Sequence, residues 1–240
     1  MDKALEKGYR AEPMTEYDEF QIDSFRADAK AQGDLVVLGG FKTREDGRLD
    51  LTPWFSETLD RKSTPWVYER GEPFRMIASL ELLATLGCVR AFLPDLRKGA
   101  TSTLTLPGIT DNKSNSQLIA RMSTTKFPLM VVLMELVAIL LAKGTRLRLA
   151  WVPRDQNSEA DALTNYDFKD FTESRRIRLD FTEANRGLLF GDLLEAGREM
   201  FKDIEVQKTK AKASKRAADE LDDKSKPTKV KKALKPLDPW

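Results

Sequence analysis

The chain has 240 residues, a 41% hydrophobic share and a formal net charge of +2. That is enough length for one well-buried domain with extensions, and too little net charge to point to a partner. It has no histidine and a single cysteine, Cys88. This excludes Ser-His and Cys-His catalysis, His-ligated zinc, a Cys-based zinc site and any intramolecular disulfide, and leaves chemistry to carboxylates, Lys, Tyr or bound metal.

Residues 1–21 are mostly polar and charged and read as an N-terminal arm, with no apolar stretch resembling a signal peptide. "FRADA" from Phe25 is compatible with a short strand, "AQGD" supplies a turn, and "LVVLGGF" is a second apolar run. "REDG" turns again, and "RLDLTPWF" alternates as a third strand would, so the opening predicts an antiparallel meander. "EPFRMIASLELLATLGCVRAFL" has apolar residues at helical spacing with Pro73 near its start.

"TLTLPGIT" follows as a fourth strand, bent or placed at an edge by its proline. "SNSQLIARM" predicts a short helix, and "FPLMVVLMELVAILLAKG" a long one that Gly144 terminates. That apolar run contains Pro128 and Glu135 and is shorter than a membrane span. No membrane association is therefore expected, and the protein reads as intracellular, cytoplasmic or nuclear. "RLRLAWV" alternates as a fifth strand, and "NSEADALTN" closes the domain as a helix capped by Asn157 or Ser158. The order is β-β-β-α-β-α-α-β-α.

Residues 173–206 carry an amphipathic pattern, in "NRGLLFGDLLEAGREMFKDI", expected to form a helical extension. Residues 207–240 are Lys-rich with few large apolar groups, and are expected to be disordered. The stretch "KSKPTKVKK" within them suits phosphate-backbone binding, a nuclear localisation signal or a solubilising linker.

Four acids stand at suggestive places in this layout. Asp28 lies in the first strand and Glu81 is flanked by leucines on the first long helix. Asp111 follows the fourth strand, and Asp161 opens the last helix. A cluster of four carboxylates with no cation among them persists when divalent ions neutralise it, and oxygen ligands suit Mg²⁺. Each acid also has a plain reading: a strand-end acid for Asp28, an ordinary helix acid on or beside a buried face for Glu81, an Asx-turn or cap for Asp111, a helix-dipole partner for Asp161.

The element order, with "ELLA", "TDN" and "WVPRDQNSEADALTN" in sequence, resembles the ribonuclease H fold. More narrowly, it is similar to the ribonuclease H domains attached to retroelement reverse transcriptases, over residues 22–172. The resemblance implies an α/β fold with a five-stranded mixed sheet flanked by helices. It implies that Asp28, Glu81, Asp111 and Asp161 are catalytic and bind two Mg²⁺ ions, with Mn²⁺ able to substitute. The activity implied is hydrolysis of the RNA strand of an RNA–DNA hybrid. A reverse transcriptase segment of the same polyprotein is the implied partner.

Two departures from the family pattern stand out. The loop "PRDQN" lacks the histidine many members carry there, and Lys30 lies close enough in sequence to pair with Asp28 and compete with metal. For substrate contact, Asn112, Ser114 and Asn115 at a helix start, together with Asn157, are candidates, with capping as the alternative. Arg121, Lys126, Lys143, Arg146 and Arg148 are candidates to line a nucleic-acid groove, while Trp54 and Trp151 read as core or rim packing. Two other functions share the fold: a non-catalytic nucleic-acid-binding module, and a nuclease that cuts DNA.

Overall fold

The computed structural model describes residues 24–69, 71–93, 104–182 and 190–225. Five strands, β1 (Phe25–Gln32), β2 (Leu35–Lys42), β3 (Trp54–Leu59), β4 (Leu104–Thr110) and β5 (Thr145–Trp151), form one sheet in the order β3-β2-β1-β4-β5. The first three pair antiparallel as a meander, while β4 joins β1, and β5 joins β4, in parallel. Helices α1 (Ile77–Phe92), α2 (Lys113–Arg121), α3 (Leu129–Ala142) and α4 (Ser158–Thr164) make the connections and the closing element. This is the five-stranded mixed sheet flanked by helices that the resemblance implies.

Strand alternation sorts the two faces. Phe25, Ala27 and Ala29 of β1 and Val36 and Leu38 of β2 join α1 and α3 in the main core. The opposite face is covered by α4 and the segment after it, where Phe41, Trp54, Ala160, Leu163 and Phe171 make a smaller cluster. Gly39 is what lets α4 come so close: a Cβ there would lie 2.9 Å from the Leu163 Cβ.

The third strand begins later than alternation predicts. Leu49–Leu51 is a 3-10 turn, and β3 starts only after Pro53. Thr52 N donates to Leu49 O, and the Thr52 hydroxyl donates to Arg48 O, so local bonds win over extension before the proline. Gly144 ends α3 as expected, at a positive φ of 56°. Asn157 takes the N-cap position of α4 without a capping bond from its side chain.

The chain divides into two units, Met1–Leu194 and Glu195–Trp240. The first includes part of the expected extension. Ile177 N donates to Trp54 O beside β3, and Phe181, Phe190 and Leu194 belong to the main core. From there α5 (Phe190–Ser225) runs on, so residues 207–225, placed in a disordered tail by composition, are helical. The physical reason is local. After Gly197 there is no Gly or Pro before Pro227, and Lys, Ala, Glu and Gln are good helix formers that need no core partner. The N-terminal arm and residues 226–240 lie outside the described residues. No described helix is long and apolar enough to cross a membrane.

Candidate metal centre

The ladder between β1 and β4 is only two pairs long, Phe25↔Gly108 and Arg26↔Ile109. Beyond it the two parallel strands are no longer paired, at the place where strand order reverses across the sheet. Such crevices at the carboxyl ends of parallel strands are where open α/β sheets bind ligands. Asp28 stands on β1 just past the last pair, and Asp111 follows β4 directly.

Asp28, Glu81 and Asp111 meet at this opening, each offering an oxygen within 4.8 Å of the others. Asp28 is almost fully buried and the other two are half-buried. Glu81 is held there by α2: Asn115 Nδ2 donates to Ala78 O of α1 at 2.9 Å, and Asn112 hydrogen-bonds the Glu81 side chain. Asn112 also accepts from Asn115 N at 3.0 Å, capping α2 with its carbonyl while its amide serves Glu81. On the other side Trp151 Nε1 donates to Asp111 O at 3.0 Å, fixing the backbone of the third acid.

The electrostatics follow from this crowding. Burial, and then the neighbouring charge of Asp111, push the Asp28 carboxyl up to about 7. Burial pushes Glu81 up to about 8, with the charges of Asp111 and Asp28 adding to it and the Asn112 bond opposing it. Asp111 is also raised by burial, against the pull of Arg154. Glu81 Oε2 and Asp111 Oδ1 are buried without a hydrogen-bond partner.

Orphaned carboxylate oxygens in a shared crevice are unfavourable unless a proton or a cation meets them. A hard divalent ion fits this donor set, since three carboxylates converge and the neighbouring groups are oxygen and amide. The lone Cys88 is buried elsewhere, its Sγ 3.5 Å from Arg26 O.

Asp161 lies in the first turn of α4 but outside the three-acid cluster. Arg154 Nη2 donates to its Oδ1 at 2.9 Å, and Asn165 Nδ2 donates to its Oδ2 at 2.8 Å. Arg154 Nε also lies 3.9 Å from Asp111 Oδ2, so one guanidinium spans two of the four acids. Thr164 Oγ1 is 3.3 Å from Asp28 Oδ2 and 2.9 Å from Asp161 O, which ties the α4 end of the site to β1.

Several expectations change here. Lys30 does not pair with Asp28: its Nζ donates to Asn165 Oδ1 at 2.6 Å. Asn115 and Asn157 are buried, and their amides donate to main chain, Asn157 Nδ2 to Ala27 O at 3.3 Å, while the Oδ1 of each is buried without a hydrogen-bond partner. Asn112 is occupied with Glu81 and the α2 cap, which leaves Ser114 exposed at the helix start.

Among the groove candidates, Arg121, Lys126, Arg146 and Arg148 are exposed, whereas Lys143 Nζ donates to Leu93 O. Trp54 is buried in the smaller cluster, and Trp151 is 45% exposed at the rim with Lys113 Nζ over its ring. Sequence reasoning missed Arg154, Thr164 and Asn165. The last two stand three and four residues after Asp161, a helical spacing that brings side chains together and was there to be read.

No protein-family model matches the chain, and no curated protein matches it in sequence. Among solved structures it is similar to RNase H1 from the halophilic archaeon Halobacterium salinarum NRC-1, with 18% identity and a TM-score of 0.43, covering 62% of this chain and 98% of that one. It is similar to the N-terminal RNase H domain of rv2228c from Mycobacterium tuberculosis, with 20% identity and a TM-score of 0.41 over 60% of this chain and 95% of that one. A third is LC11-RNase H1 in complex with an RNA/DNA hybrid, at 15% identity and TM-score 0.42, covering 60% and 95%.

Proposed function

We propose that this chain is a ribonuclease H-type nuclease that hydrolyses the RNA strand of RNA–DNA hybrids with the help of Mg²⁺, or Mn²⁺ in its place. The observation that carries the reading is the convergence of Asp28, Glu81 and Asp111 with two buried carboxylate oxygens left unpartnered. Asp161 is the fourth acid of the proposed site, linked to Asp28 through Thr164.

When bound, divalent ions supply a more acidic water and neutralise charge on the scissile phosphate. The chain's own residues do the positioning. Asn112 orients Glu81, Trp151 fixes the Asp111 backbone, and Thr164 holds Asp28 against α4. Ser114 and the amides at the start of α2 lie next in sequence to Asp111, where a phosphate or a 2′-hydroxyl would be met. The resemblance carried by "TDN" and "NSEADALTN" supports an origin in a retroelement polyprotein, with a reverse transcriptase segment as partner.

A second reading, a hybrid-binding module without turnover, is favoured by one observation: Arg154 already satisfies Asp161. The test is cleavage of a labelled RNA–DNA hybrid in Mg²⁺ or Mn²⁺, with duplex DNA alongside and Asp111→Asn as control. Metal-dependent cutting of the RNA strand, lost in Asp111→Asn, is expected. Tight hybrid binding without cutting in either metal would overturn the nuclease reading in favour of the binding module, and cutting of duplex DNA alone would move the substrate to DNA.

A further inference from the structure

Arg154 stands between Asp161 and Asp111. Its guanidinium is 2.9 Å from Asp161 Oδ1 and 3.9 Å from Asp111 Oδ2, while the other oxygen of Asp161 is engaged by Asn165. The three acids that converge on one another leave Asp161 out. Four carboxylates thus divide into a three-oxygen site for one ion and an Asp161–Asp111 pair bridged by a side chain that cannot lose its charge.

The backbone around Arg154 is anchored. Arg26 Nη1 donates to Gln156 O, and Asn157 Nδ2 donates to Ala27 O. Pro153 precedes it with φ fixed near its ring value, at −59°. The 3-10 turn Arg154–Asn157 is therefore pinned to β1, and the guanidinium is delivered to the mouth of the crevice from a fixed point.

We infer that Arg154 is a tethered counter-ion that occupies Asp161, so that the chain binds one divalent ion readily and a second, which would need Asp161, only by displacing the guanidinium. This rests on the metal-site reading above and adds to it an order of filling and a built-in competitor. Arg154 acts through the carboxylates it holds and is a positioning residue. Its side chain is 69% exposed, so the displacement is a swap at the surface rather than a rearrangement of the core.

The test is Mn²⁺ binding to the full chain, by calorimetry and by loss of the free-ion electron paramagnetic signal, in wild type, Arg154→Ala, Arg154→Lys and the double variant combining Arg154→Ala with Asp161→Asn. The expected result is one tight ion in wild type followed by a weaker one. In Arg154→Ala the second ion should bind roughly three- to tenfold tighter, the scale of a half-exposed ion pair removed as competitor. Arg154→Lys should fall between, because a point charge replaces a planar fork, and it carries the test should the alanine variant melt early. The double variant should lose the gain.

An unchanged second ion in Arg154→Ala, with the first still bound, would overturn the counter-ion role and leave the metal site standing. A gain that survives Asp161→Asn would also overturn it. Absence of any Mn²⁺ binding in every variant would remove the metal site and this inference together.

Discussion

Removing one acid should stabilise the metal-free protein. Asp28 has an ordinary value of 3.8 and is pushed up to about 7 in the fold. A carboxyl whose folded value is raised supports the fold in its protonated form, and that support is lost as pH rises from near 4 through 7. About three pH units at about 1.36 kcal/mol each set a ceiling of about 4 kcal/mol, and relaxation of the crevice brings the working figure to about 2 kcal/mol. Asp28→Asn keeps the shape and deletes the charge, and it also relieves Glu81, whose rise owes part to Asp28.

Urea denaturation in EDTA at pH 5 and pH 8 checks this. Wild type should lose stability between the two, the Asp28→Asn variant should lose distinctly less, and at pH 8 the variant should be the more stable by about 2 kcal/mol. Saturating Mn²⁺ at about a hundredfold over Kd should then reverse the order, adding about 2.7 kcal/mol to wild type alone. A variant less stable than wild type at pH 8 in EDTA, or a pH dependence equal to wild type, would refute the charge-crowding account.

Three further outcomes follow from the same geometry. Asn112→Ala removes the α2 cap and the bond to Glu81 together, and should destabilise by about 1–2 kcal/mol in urea while raising the Glu81 carboxyl further, read by carboxyl-region NMR titration. Gly39→Ala sets a methyl 2.9 Å from Leu163 Cβ and 3.1 Å from Thr164 Cγ2, so α4 must shift. A loss of about 1–3 kcal/mol is expected, with hybrid cleavage falling more than hybrid binding because α4 carries Asp161. Cys88 is fully buried and its thiol is pushed up by burial, so an aromatic disulfide reagent should react with native protein slowly, and at the rate of an ordinary thiol once urea unfolds it.

The sequence order of elements was legible because the periods are clean. β5 alternates buried and exposed along most of its length, and Pro73 and Gly144 sit at the boundaries that their backbone chemistry favours. The start of β3 was not legible, because Leu49 and Leu51 alternate like strand residues while Pro53 and the Thr52 bonds hold them in a turn. Helix beyond residue 207 was missed because composition speaks to core formation and only weakly to local propensity.

Within the site, Asp28, Glu81 and Asp111 were readable from their place at element ends and beside leucines. The job of each amide was not: Asn112, Asn115 and Asn157 share one chemistry, and only burial separates the one that serves an acid from the two that tie backbones. Arg154 was hidden for a related reason, since a loop arginine in a charge-rich chain has no distinguishing mark until its partners are in view.

The two-pair ladder between β1 and β4 has a mechanical side. Among the described residues it is the only strand pairing joining the meander of three strands to the parallel pair, and the acids lie on both banks of it: Asp28 on one, Asp111 on the other. An ion gripped by both would act as a rivet across the seam. Amide exchange at Phe25, Arg26 and the facing residues of β4 would then slow on adding Mn²⁺ far more than exchange within the meander, making the seam itself a gauge of occupancy.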